Sequence, residues 1–179
     1  MTSLRLALGL AAAAIVFGLL LLSEPTPDPI RPGQQAPAFE VPLLDGGTIS
    51  LAKLRGRVVL LNFWATWCKP CESEMPAMQR LRSALAGTEF ELIAVSVDAS
   101  REDVAKYRDR LGLSFPIALD PEKRVSDAFQ SYRYPESYLI DRDGRILSRY
   151  IGPRDWDADL YVDRIRRVIA GTGDGALPE

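Results

Sequence analysis

The stretch RVVLLNFWATWCKPCESEMP, residues 57–76, confines the fold more than any other part of the chain. RVVLLNFW, residues 57–64, is an almost continuous apolar run, the pattern of a strand covered on both faces. Met75, Met78, Leu81 and Leu85 then recur at helical spacing. Between the two sit both cysteines of the chain, Cys68 and Cys71, with Pro70 suited to a first helical turn because it has no N–H to leave unpaired. A strand of this kind needs a layer on each side of its sheet, and the thiols then lie where strand gives way to helix.

The rest of the chain supplies those layers. FEVPLLDGGTISL alternates at Phe39, Val41 and Leu43, breaks at Asp45-Gly46-Gly47 and resumes at Thr48, a β-hairpin signature. FELIAVSVD, residues 90–98, reads as a second buried strand. Val104, Tyr107 and Leu111 mark a helix, and FPIALD from Phe115 is a short strand or extended segment. Val125, Ala128, Phe129 and Tyr132 fall at i, i+3, i+4 and i+7 and predict a helix. SYLID and RILSRYIG flank Asp141-Arg142-Asp143-Gly144 as a hairpin, and a last helix runs from about Asp157 to Ala170. Strands alternating with helices, closed by a hairpin and a helix, argue for an α/β sheet covered on both faces.

The N-terminus carries something else. Leu6 to Leu22 is a run of 17 residues without a charge, preceded by Arg5, at the short edge of what spans a ~30 Å hydrocarbon core. It reads as a membrane-targeting segment, residues 1–22. LLLLSEPTP lacks a small-x-small cleavage site and has no cysteine to take a lipid, which favours an uncleaved signal anchor over a removed signal peptide. Arg5 and the terminal amine hold the N-terminus in the cytoplasm, so the remainder is expected on the far side. Prolines at 25, 27, 29, 32 and 37 predict a semi-rigid polyproline linker over residues 23–36. The globular domain is expected over 37–172, followed by a flexible tail, 173–179.

Composition narrows the chemistry. With 22 basic and 24 acidic residues and no basic stripe, nucleic-acid binding is not expected. Two thiols and no histidine fall short of a zinc site, and Glu72 stands where a heme-attachment motif needs histidine, so neither metal nor cofactor is expected. A structural staple is the plain alternative. It stabilises little, because the loop between Cys68 and Cys71 is so short.

Position points instead to thiol chemistry. A sulfur at a helix N-terminus meets unpaired N–H groups and the positive end of the dipole, which favour the thiolate that attacks disulfides. Cys68 is then the nucleophile and Cys71 the resolving thiol. Lys69 favours the thiolate, and ionised Glu72 and Glu74 oppose it. Glu74, three residues beyond Cys71 and on the same helix side, is placed to take a proton from Cys71, or else is an ordinary first-turn acid. Glu72 reads as a solvated helix charge.

The strand-Trp-Cys-x-Pro-Cys-helix arrangement resembles the thioredoxin superfamily, and within it the extracytoplasmic thiol-disulfide reductases of the TlpA/ResA/CcmG (DsbE) type. Four stretches carry the likeness: PAFEVPLLDGGTISLAKLRGRVVLLNFWATWCKPCESEMP, LIAVSVD, LGLSFPIALDPE and YPESYLIDRDGRI, together spanning about Pro37 to Gly152. The resemblance implies a thioredoxin fold, a central mixed sheet with helices on both faces, with an added N-terminal β-hairpin and here a membrane anchor before it. It implies a cis-proline at Pro135 whose loop binds substrate backbone, with Tyr134 beside the thiols and Trp67 in the contact surface. It also implies roles for Glu74, matching the acid of the family's Cys-x-x-Cys helix, and for Glu136, matching the acid after the cis-proline. Asn62 replaces the buried aspartate of cytoplasmic thioredoxin and cannot exchange a proton. Trp64 is expected in the core, and Trp156 in packing or loop anchoring.

The function this implies is a membrane-tethered reductase in the periplasm, with Cys68 and Cys71 as its redox-active disulfide. Its clients would be the Cys-x-x-Cys-His segment of an apocytochrome c, or thiols that load copper. Its electrons would come from a membrane thiol transporter of the DsbD or CcdA type. A disulfide oxidant of the same fold is the alternative. A thiol peroxidase needs threonine or serine three residues before the attacking cysteine, where this chain has Ala65, and a binding domain without catalysis would not need both thiols.

Overall fold

The computed structural model describes residues 30–172. The apolar segment 6–22, most of the linker and the tail 173–179 lie outside the described residues. Among the described residues no helix is long and apolar enough to cross a membrane.

The run at 58–64 is the centre of the molecule. β3 (Val58–Trp64) is buried at every position and is flanked on one side by parallel β4 (Phe90–Ser96) and on the other by antiparallel β6 (Glu136–Ile140). β5 (Ile117–Leu119) and β7 (Ile146–Ile151) complete a mixed sheet of order β5-β4-β3-β6-β7. A preceding hairpin, β1 (Glu40–Pro42) with β2 (Thr48–Ser50), pairs antiparallel, and Leu43 and Leu44 reach on to bridge Ala118 and Ile117 at the β5 edge. That contact covers an edge otherwise open to another chain.

Alternation along the strands splits the core into two layers. Leu60, Leu92, Ala94 and Leu139 face α1 (Lys69–Ala84), α2 (Arg101–Leu111) and α4 (Asp159–Ala170). Leu61, Phe63, Ile93, Tyr138 and Ile140 face α3 (Arg124–Ala128) and the hairpin. The chain is a thioredoxin-fold α/β domain with helices on both faces of a mixed sheet.

Two expectations need correction. The helix read from Val125 to Tyr132 stops at Ala128: Gln130 has φ of 52°, the Ser126 hydroxyl donates to the Ser131 carbonyl, and Tyr132 swings out to 67% exposure. The domain also begins before Pro37. Gly33 N–H bonds Ile146 O and Ala36 N–H bonds Gly144 O, because the residues between Pro32 and Pro37 keep the donors that proline lacks. The last helix, expected from about Asp157 to Ala170, runs Asp159–Ala170, and Trp156 is buried in the turn before it, as its packing role implied.

Candidate active site

Cys68 caps α1 through its sulfur. Sγ accepts the Cys71 N–H at 3.2 Å, and the two cysteines form a disulfide with Cα atoms 5.3 Å apart. An N–H aimed at that sulfur is the contact that holds a thiolate once the bond is reduced. Cys68 retains 6% exposure and Cys71 none, so an incoming disulfide meets Cys68 first.

The loop before α1 is held from the second strand. β4 ends at Ser96, and Asp98 turns back to accept both the Thr66 N–H (2.8 Å) and the Thr66 hydroxyl (2.7 Å). The Thr66 hydroxyl is thus committed to Asp98, and Ala65 offers none, so the hydroxyl that peroxidase chemistry asks for is missing beside Cys68.

Trp67 stands 66% exposed next to Cys68, and its ring meets that of Tyr134 edge-on with centroids 6.0 Å apart. The Tyr134–Pro135 bond is cis. Because the Ser126 hydroxyl is spent on Ser131, Tyr134 donates its own hydroxyl to Ser126 Oγ at 2.9 Å. Trp67, the residue before Cys68, thus meets Tyr134, the residue before the cis Pro135.

Glu74 is 2% exposed and sits among neutral donors. Asn62 Nδ2 donates to Oε1 at 2.8 Å; the Arg154 N–H and Trp156 Nε1–H each donate to Oε2 at 3.1 Å. Burial nonetheless dominates and pushes the carboxyl up to about 7, against those three hydrogen bonds. An acid poised there suits proton exchange with a thiol. The sequence offers no local sign of Trp156 or Arg154 as partners, since both come from the β7–α4 turn; only the side of α1 that Glu74 shares with Cys71 marks the acid itself.

Glu72 is the solvated helix charge expected of it, and it is also paired. Arg110 of α2 pairs with it at 2.6 Å and holds its carboxyl below the usual range.

Glu136 is not brought to the thiol face. As the first residue of β6 it shares a side with Tyr138, while Ser137 points to Asn62 on the other. It is 1% exposed and ion-paired with Arg149, whose Nη2 donates to Gln130 O at 2.8 Å. In this arrangement its Arg149 partner is tied to the Gln130 carbonyl in the loop leading to Tyr134.

A disulfide between an N-capping, slightly exposed sulfur and a sealed one, with an aromatic surface beside it, is built for exchange with protein disulfides. The family model described as AhpC/TSA matches residues 32–149. The chain belongs to the AhpC/TSA family. The thiol-disulfide oxidoreductase ResA of Bacillus anthracis is 40% identical over 120 residues, covering 67% of this chain and 69% of that one. The thioredoxin-like protein YneN of Bacillus subtilis (strain 168) is 40% identical over 126 residues, covering 69% and 73%. A crystal structure of the thiol:disulfide interchange protein DsbE from Chlorobium tepidum superimposes with a TM-score of 0.73 at 31% identity, over 78% of this chain and 99% of that one. Within the family this chain is a thiol-disulfide oxidoreductase of ResA and DsbE type, with Cys68 and Cys71 as its redox pair.

Proposed function

We propose that the chain works as a membrane-tethered reductase outside the cytoplasm. Cys68 as thiolate attacks a client disulfide; its sulfur bonds to one client sulfur and the other leaves as a thiolate that takes a proton from water. Cys71 then gives its proton to Glu74, attacks Cys68 Sγ and releases the second client sulfur, also protonated from water, so the client leaves as a dithiol with the two electrons that the Cys68–Cys71 pair loses. The observation that carries this reading is the sealed Cys71 and Glu74 behind an N-capping Cys68. Leu6 to Leu22 as an uncleaved anchor supports the tether, and an oxidising compartment then requires a thiol transporter of the DsbD or CcdA type to recharge the pair. Trp67, Tyr134 and Pro135 form the client surface. Clients of the apocytochrome c or copper-site class fit the resemblance to cytochrome-maturation proteins.

The test is the reduction potential of the full-length chain, equilibrated against thioredoxin or glutathione. We expect about −230 mV or lower, toward the thioredoxin end of the scale. A value near the DsbA end, about −120 mV, reverses the direction and makes the chain an oxidant. In Cys71→Ala a client is expected to stay trapped on Cys68; trapping through Cys71 in Cys68→Ala instead would exchange the two roles.

A further inference from the structure

Glu74 and Trp156 are separated by nearly half the chain, yet the indole N–H is aimed at Oε2. Trp156 is 1% exposed, and its ring is wedged between Tyr150 and Tyr161 with centroids 5.1 and 5.0 Å away. An indole N–H can only donate. The Arg154 N–H on the same oxygen can only donate as well, so Oε2 is fixed as an acceptor. Oε1 faces Asn62, whose buried Oδ1 has no hydrogen-bond partner among the described residues. A half-turn of that amide would present Oδ1 to Oε1 and let it accept a proton held there. The two carboxylate oxygens are therefore unequal: one is pinned by donors that cannot reverse, and the other faces a group that can.

We propose that Trp156 is a positioning residue for the exchange reaction. Its indole N–H pins Oε2 as acceptor, favours the ionised form of Glu74, and directs the incoming proton from Cys71 to Oε1, opposite Asn62. The inference deepens the proposed role of Glu74 and rests on it. The other titratable groups around Glu74 are the Arg154 guanidinium and Asp155 in the same turn, Tyr161 of α4, Tyr107 of α2, and Cys71 on its own helix. β3 and β6 contribute the neutral Asn62 and Ser137.

The experiment titrates the full-length protein in detergent micelles by ¹³C NMR of labelled glutamate carboxyls, with Glu74→Gln to assign the signal. Trp156→Phe keeps a ring and removes the donor. Its Glu74 midpoint should rise by roughly one to two pH units, because a hydrogen bond to the charged form has been lost. A midpoint within about 0.2 units of wild type would reduce Trp156 to packing. Should the variant fail to fold, wild type alone decides: the Trp156 indole ¹H and ¹⁵N resonances should titrate with the Glu74 midpoint and stop doing so in Glu74→Gln. An indole signal indifferent to that titration overturns the proposal. Client reduction rates followed over the same pH range separate the two ideas. A carboxyl midpoint that moves while the rate profile ignores it keeps Trp156 as the tuner and removes Glu74 from the proposed mechanism.

Discussion

Glu74 and Glu136 are buried on opposite faces of one sheet, and they differ in what surrounds them. Glu74 is held by an amide, a main-chain N–H and an indole, none of which carries a charge, and burial pushes its carboxyl up to about 7. Glu136 is paired with the guanidinium of Arg149, which in turn grips the Gln130 carbonyl. Neutral donors can orient an acid and leave it free to change charge. A guanidinium supplies a counter-charge that becomes expensive to strand, so the same residue type serves as a strut there.

Breaking the strut should have the largest effect. Glu136→Gln leaves Arg149 without its partner, and we expect a loss of about 3 kcal/mol in urea unfolding at neutral pH. A loss below ~1 kcal/mol would mean that Arg149 finds water easily and that the contrast between the two acids is overdrawn.

A difference of similar size, but dependent on pH, should separate wild type from Glu74→Gln. The folded carboxyl binds its proton more tightly than the unfolded one, about 7 against 4.5. Its contribution to stability is therefore fully present below about 4.5 and is lost as pH rises through 7. The stability of wild type relative to Glu74→Gln should fall by roughly 3 kcal/mol between pH 4 and pH 8, at 1.36 kcal/mol per unit. Parallel stability curves would show that Glu74 does not titrate in this range.

Kinetics sharpen the contrast further. Release of a mixed disulfide at pH 7 should slow by about tenfold in Glu74→Gln, less than the roughly hundredfold minimum usual for general base catalysis, because solvent can substitute. Glu136→Gln should slow it less once measured well below the unfolding midpoint. The smallest effect is expected from Arg110→Ala, which frees Glu72 to repel the Cys68 thiolate. The Cys68 pKa should rise by a few tenths of a unit, since exposed pairs interact weakly, and alkylation rate against pH reads it directly. A fall would mean that Glu72 does not face the sulfur.

Much of this was legible in residues 57–76, because a strand buried on both faces, a first-turn proline and two thiols admit few arrangements. Glu74 was also readable, since helical spacing ties it to Cys71. Its partners were not. Trp156 reaches it through a turn whose path depends on how α4 packs, and no periodicity encodes that. Glu136 illustrates the converse: its place after Pro135 suggested the thiol face, but strand alternation at the first residue of β6 sends it to the other. Tyr132 fell on a helical pattern and lies off the helix because the Ser126–Ser131 hydrogen bond ends α3 early.

The groove beside Glu74, of about 360 Å³, is lined by Ser73, Pro153, Arg154, Asp155, Ala158 and Tyr161, and by none of Trp67, Cys68, Tyr134 or Pro135. A client seated over the sulfur leaves that groove uncovered. Under the proposed mechanism electrons and protons would travel by separate doors: the electron pair through the sulfur face into the client, and the proton from Glu74 sideways to water while the client is still in place.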